Sequence, residues 1–403
     1  MFIFLLSRSI FSSNSTSFMS TRVHVYVSRT KHGVFLLVML MFAFVIYQRV
    51  DINTISNTIN TYIWNLTSSE ARHIGFLKVH KAGGSTIQNI LFRFGRSRNA
   101  TFVIPVERSI ISEYNKPSDK LLNYKNGDFY DILALHTVYN ESVYSKLLPK
   151  DSFRLAIVRS PLDVFVSAAF YHRDVWGVDY LQRVPKDNFI HNLILYPELY
   201  DSHVLSLTRN SMAMDFGFPP GIHSTETKTI NNYLCNLDKH FHLVMVLEKF
   251  DESLILIKRL LSWQLKDILY IPQNTHSHPS ISELNISLSE IDKFETRNFL
   301  DVALYDHFVN IFNSKVNDLG QDFKDEVEHF QNVGSKVLDY CVFHERHSNS
   351  RDLVVYESDW NAEFSLSLKD CEDMMTTELD FISRIRKDIK KKLRGILNKT
   401  ISL

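Results

Sequence analysis

The chain has 403 residues, with 45 lysines and arginines against 45 aspartates and glutamates. A formal charge of zero removes any whole-molecule electrostatic case for a nucleic-acid partner. Its 29 phenylalanines and 17 tyrosines supply enough apolar mass for one large α/β domain with appendages.

The first fifty residues contain no aspartate or glutamate. Within them, Gly33 to Tyr47 is an unbroken apolar run with Arg22, Arg29 and Lys31 before it and Arg49 after it. The run falls short of the ~20 residues of a comfortable span, but flanking basic side chains snorkel and extend its reach. The basic excess on the N-terminal side keeps that side cytoplasmic. The pattern predicts a cytoplasmic tail over 1–32, a signal-anchor transmembrane helix over 33–48, a luminal stem over 49–71 and the main domain over 72–403. A cleaved signal peptide is the alternative, although no small-residue cleavage site follows the run. Sequons at Asn65, Asn99, Asn140, Asn285 and Asn398 suit a luminal side.

His73 to Val79 is apolar and β-leaning, and Ile87, Ile90, Leu91 and Phe94 then recur at helical spacing. Between them lies the polar turn His80-Lys81-Ala82-Gly83-Gly84-Ser85-Thr86. Strand, tight turn and helix aim backbone N–H groups at an anion, Lys81 adds a full charge, and Ser85 and Thr86 add hydroxyls. The lysine precedes the glycines, so this is not Walker A. An ordinary strand-to-helix turn is the plain alternative.

Buried strands are expected at Asp131–His136, Phe153–Val158 and Phe241–Leu247, each followed by helical periodicity, which predicts a parallel sheet flanked by helices. Arg159 stands at a strand's carboxyl end, where open α/β sheets bind ligands. Ser160 suits an N-cap, Pro161 the first helical position and Asp163 the first turn. Ser167 lies about two turns on, so Arg159 and Ser167 can clasp one phosphate between them. The turn-rich stretches Asp201–Thr229 and Pro272–Ser289 read as loops, the first of them beside the substrate. Three cysteines allow one disulfide and a leftover. Cys341 and Cys371, both in the C-terminal third, are the expected pair. No cysteine–histidine spacing suits zinc, and no carboxylate cluster suggests another metal.

The turn His80–Thr86 resembles the 5′-phosphosulfate loop of sulfotransferases that use 3′-phosphoadenosine 5′-phosphosulfate (PAPS), and Arg159 with Ser167 resembles their 3′-phosphate motif. Further stretches, Asn210–Phe218, Leu243–Trp263 and Leu300–Phe312, resemble the galactose 3-O-sulfotransferase family. The similarity runs from about Ile74 to about Phe312, with a weaker echo over Cys371–Arg386. Where the family's loop reads Lys-Thr-Gly-Ser-Ser-Thr, this chain has Ala82 and Gly84, which removes hydroxyls but keeps backbone donors. The segment His136–Asn140 matches loosely the family's His-Met-Arg-hydrophobic-Asn.

The resemblance implies a P-loop-like sulfotransferase fold behind an N-terminal membrane anchor, in a type II protein of the Golgi membrane. It implies PAPS as donor, no metal, and a galactose-terminated glycolipid or glycan as acceptor; a homodimer is compatible with it. Lys81, Ala82, Gly83, Gly84, Ser85, Thr86, Arg159 and Ser167 would hold the cofactor. Lys81 would also serve catalysis, with His136 as general base and His80 as its rival. Asp215 and Glu248 read as structural or sugar-hydroxyl acceptors. A glycosaminoglycan acceptor and an inactive glycan-binding homologue are the competing readings.

Overall fold

A computed structural model describes residues 69–112, 120–125, 127–202, 206–272, 278–343 and 351–401. The expected tail and signal-anchor, and the stem up to residue 68, lie outside these. No helix of the described residues is long and apolar enough to cross a membrane.

Four parallel strands make the central sheet: β1 (Ile74–Leu77), β2 (Ile132–Leu133), β3 (Phe153–Val158) and β4 (Leu243–Val246), in the order β2-β1-β3-β4. Ile74 is level with Ile132 on one side and Phe153 on the other, and Val158 is level with Val246. Every residue of β1 and β4 is buried. That is why these segments read as continuous apolar runs and not as alternating ones: helices cover both faces of a parallel sheet. The crossovers carry α1 (Gly84–Ser97), α2 (Glu141–Leu147), α3 (Pro161–Asp174), α4 (Phe189–Leu195), α5 (Ser211–Asp215) and α6 (Thr227–His240). After β4 come α7 (Phe250–Leu261), α8 (Leu288–Arg297), α9 (Phe299–Asn317) and α10 (Gly320–Phe343). The two-stranded antiparallel pair β5 (Leu353–Val355) and β6 (Phe364–Leu366) leads into α11 (Leu368–Met375) and α12 (Glu378–Ile401).

The strand expected over Asp131–His136 is ladder-paired only at Ile132–Leu133. Beyond that point the Gln88 side chain donates to the Ala134 carbonyl at 2.6 Å, so a side chain from α1 takes the place of a neighbouring strand. The segment still extends, and His136 bridges to Ile110. The stretch expected as a loop over Asp201–Thr229 contains α5. Asp301 of α9 accepts from the backbone N–H groups of Met212 and Ala213 (3.3 and 2.7 Å), while Asn210 accepts from those of Leu300 and Asp301. These reciprocal caps let five residues hold a helix that propensity alone would not sustain. Pro272–Ser289 likewise contains one helical turn, Ile281–Leu284, closed by a Ser280/Glu283 capping box.

A second apolar cluster joins α3 to α4 and α8 through Phe165, Val166, Ile190, Leu193 and Phe294. Asn99, Asn140 and Asn285 are exposed; Asn140 also caps α2 by accepting from Ser142 and Val143. Cys341 and Cys371 form the expected disulfide, Cα atoms 5.3 Å apart, which fastens α10 to α11; Cys235 is free and exposed. Both bridged cysteines are buried. Closing a loop of this length restricts the unfolded chain and typically contributes about 2–4 kcal/mol. The Cys341→Ser/Cys371→Ser variant should therefore unfold at clearly lower urea concentration; an unchanged midpoint would assign the C-terminal docking to apolar contacts alone.

Candidate active site

The carboxyl ends of all four strands converge on one edge of the sheet. At the end of β1 the turn His80–Gly83 carries two left-handed residues, Lys81 (φ 58°) and Gly83 (φ 76°). Such turns curl successive N–H groups towards a common point. Glycine suits position 83 because its φ disfavours any side chain, and a Cβ there would also push on Leu247 Cδ1 at 2.6 Å. Gly84 answers a different demand: a Cβ would sit 2.8 Å from Lys78 Cγ. No side chain caps the N-terminus of α1, so no protein carboxylate or hydroxyl competes there as an N-cap.

At the end of β3, Arg159 Nη1 donates to the Lys81 carbonyl at 3.0 Å, and Nη2 lies 3.4 Å from Asp163. The two stretches singled out as anion sites are thus in direct contact. Pro161 occupies the expected first helical position, but Ser160 makes no side-chain cap. Its backbone N–H donates instead to Glu248 Oε1 at 2.7 Å, because β4 runs beside β3 and delivers Glu248 there. Ser167 is buried in α3. The Lys81 ammonium stands 3.9 Å over the Tyr171 ring of the same helix. Burial, and then the neighbouring Arg159 charge, bring Lys81 down to about 8. Among the described residues no carboxylate pairs with Lys81.

His80 and His136 stack with ring centroids 3.9 Å apart. His136 Nδ1 lies 2.9 Å from the Lys78 carbonyl. A carbonyl only accepts, so Nδ1 carries the hydrogen and Nε2 keeps its lone pair. Burial, then the charges of His80, Lys78 and Lys81, hold His136 well below the ordinary imidazole value. His80 moves the other way. Burial opposes its charge, but the Asp215 carboxylate outweighs that and raises it. Asp215 accepts from the His80 backbone N–H at 2.7 Å and approaches Nδ1 at 2.9 Å. One ring is thus a neutral acceptor and the other is biased towards imidazolium, a division that two stacked rings favour over charging both.

The sequence reading missed two site residues, Lys78 and Glu378. Lys78 is 2% exposed, donates to Gln88 Oε1 at 3.1 Å and forms an ion pair with Glu378. Glu378 comes from the first turn of α12 and also accepts from Ser85 Oγ at 3.2 Å. Lys78 left a faint signal, a lysine inside an apolar strand segment; Glu378, 293 positions from Ser85, left none. No group of three or more histidine, cysteine, aspartate or glutamate side chains among the described residues is arranged to hold a metal ion.

A model of the galactose-3-O-sulfotransferase family matches residues 14–353. The chain belongs to that family. Relatives include galactosylceramide sulfotransferase of Mus musculus, 29% identical over 67% of this chain and 64% of that protein. Galactose-3-O-sulfotransferase 3 of Mus musculus is 31% identical over 61% of this chain and 58% of that protein. Galactose-3-O-sulfotransferase 2 of Sus scrofa is 26% identical over 78% and 83%. The chain spans about 64% of the length of the galactosylceramide sulfotransferase it matches. Family membership agrees with the observed α/β fold, and α12 lies beyond the span of the family model.

The opposed histidine shifts are measurable. In proton NMR titrations the His80 Cε1–H should show a midpoint above the ordinary histidine value and His136 one well below it. Asp215→Asn should bring the His80 midpoint down, since the carboxylate that outweighs burial is then gone and only the smaller Glu378 charge still raises it. A midpoint unmoved by that substitution would dissolve the His80–Asp215 pairing.

Proposed function

We propose that this chain transfers a sulfuryl group from PAPS to a carbohydrate hydroxyl, the 3-OH of a terminal galactose on a glycolipid or glycan. The observation that carries this reading is the hydrogen bond from Arg159 to the Lys81 carbonyl. It sets two cations side by side at one sheet edge, suited to a single molecule bearing two anionic groups. The site fits such a nucleotide: an uncapped helix terminus, left-handed turn residues and a lysine lowered to about 8 by burial and the neighbouring Arg159 charge. The names of the relatives, galactosylceramide and galactose 3-O-sulfotransferases, support galactose as the acceptor. The basic-flanked apolar run at 33–47, with exposed Asn99, Asn140 and Asn285, supports a type II protein of the Golgi membrane with this domain luminal.

PAPS, when bound, supplies an activated sulfuryl group on a phosphate leaving group. The turn N–H groups, Ser85 and Thr86 would hold its 5′ end, and Arg159 with Ser167 its 3′-phosphate. Lys81 would neutralise the charge that develops on the leaving oxygen as the S–O bond breaks. His136 Nε2 would take the proton of the acceptor hydroxyl as the new O–S bond forms. Burial and the His80 charge are the main causes of its lowered basicity in the free protein, with smaller parts from Lys78 and Lys81; an arriving anion offsets the part due to these charges. His80, held by Asp215, would stabilise the transferring sulfonate.

The test incubates the full chain with PAPS labelled in its sulfate and a panel of galactosides, galactosylceramide, lactosylceramide and heparan precursors. Label on a galactose 3-OH is expected. Label on heparan alone would overturn the acceptor, and label on nothing would make the chain a binding protein. Lys81→Ala should lower turnover about 10²–10³-fold. His136→Ala should lower it about 10²–10⁴-fold while nucleotide affinity stays near normal; an active His136→Ala enzyme would pass the base role to His80.

Nucleotide binding should also take up a proton. The bound anion favours the ammonium form of Lys81, so its value rises from about 8 on binding. Affinity should therefore weaken as pH climbs through that region, and calorimetry at pH 8.5 in buffers of different ionisation heat should report net uptake. Equal heats in all buffers would remove Lys81 from the nucleotide's contacts.

A further inference from the structure

The first turn of α12 sends a carboxylate into the anion loop. Asn89 of α1 donates to the Asp373 and Thr376 carbonyls (2.9 and 3.2 Å), fixing the α11–α12 junction against the loop helix. Phe381 packs at a tilt against Phe92 one turn further on, ring centroids 5.4 Å apart, and the Cys341–Cys371 disulfide holds α11 from behind. Glu378 is therefore presented by a braced element. Its carboxylate pairs with the buried Lys78 ammonium and accepts the Ser85 hydroxyl at 3.2 Å, while 20% of its side chain remains exposed.

These contacts conflict with anion binding at Ser85. A serine hydroxyl has one proton, and it cannot donate to Glu378 and to a phosphate at once. Lys78 differs, since an ammonium has three donors and Glu378 and Gln88 occupy two. Two anions gathered at one loop also repel across a partly desolvated site. We propose that Glu378 is a built-in competitor for the nucleotide's 5′ end. It gives up Ser85 when the nucleotide binds and reclaims it as the spent nucleotide leaves, weakening affinity and hastening release. Throughout, it remains the countercharge of Lys78. This rests on the nucleotide reading given above and adds to it a residue of the C-terminal helix, beyond the span of the family model. Its use is kinetic, because release of product limits turnover in many enzymes.

The test measures binding of 3′-phosphoadenosine 5′-phosphate to the full chain by calorimetry, and its dissociation by stopped flow. A contact closed ~90% of the time lowers apparent affinity about tenfold. Glu378→Gln should therefore tighten binding by about that factor and slow dissociation. A merely structural defect would loosen binding instead. Removing the shared hydroxyl should shrink the gain, so Glu378→Gln placed in a Ser85→Ala background should tighten binding less than it does alone. If Glu378→Gln fails to fold because Lys78 is stranded, Glu378→Asp keeps a countercharge, retreats from Ser85 and should show the same tightening. Unchanged or weaker binding in the folded variant, with the parent binding normally, would overturn the competitor role and leave the nucleotide site standing. A parent chain that binds no 3′-phosphoadenosine 5′-phosphate would take both down together.

Discussion

The hydrogen bond from the Arg159 guanidinium to the Lys81 carbonyl is the contact on which the site depends. It crosses from the end of β3 to the turn after β1, two strands that lie side by side. Because it engages a backbone carbonyl, this bond fixes the guanidinium without itself neutralising it, while Asp163, 3.4 Å from Nη2, offsets part of the Arg159 charge. The turn gains a brace and the edge keeps its charge. Leu247 against Gly83 and Glu248 on the Ser160 N–H add the end of β4 to the same junction. His136 adds the end of β2 through the Lys78 carbonyl.

The charges around this junction fall into two classes. Lys81 and Arg159 face each other's fields; Arg159 has Asp163 at 3.4 Å, whereas among the described residues no carboxylate pairs with Lys81. His80 and Lys78, in contrast, each have a carboxylate in contact, Asp215 and Glu378 respectively. Buried cations with partners hold geometry, because removing either partner strands a charge. A cation without such a partner, as Lys81 is among the described residues, holds free energy in reserve for an anion. The difference explains how adjoining basic residues of one short segment, Lys78, His80 and Lys81, come to have separate parts.

Distant stretches that resemble the family also acquire physical parts. Asn210–Phe218 supplies α5 and its Asp215, and Leu300–Phe312 supplies Asp301, which caps α5. Asp301, buried and raised to about 7 by that burial, is held by the backbone N–H groups it accepts from. The path from α9 through α5 to Asp215 and His80 is thus a chain of caps and hydrogen bonds that aims one imidazole.

Local signals in the sequence determined the parallel sheet, the strand–turn–helix at His80–Thr86 and the place of Arg159 between a strand end and a helix start. Apolar runs, glycines and a proline at a helix start act within a few residues of themselves, so one chain suffices to reveal them. Cys341 with Cys371 was also legible, as the two of three cysteines that share the C-terminal third. The shortened β2, the helix α5, the opposed histidines and the Glu378–Ser85 contact were not. Each is made by a partner tens to hundreds of positions away: Gln88 on the Ala134 carbonyl, Asp301 on Ala213, Asp215 on His80, α12 on the loop. Local pattern could place the charges along the chain, but which of them are paired, and which remain free to meet an anion, was decided only by the packing of strand ends and helices in three dimensions.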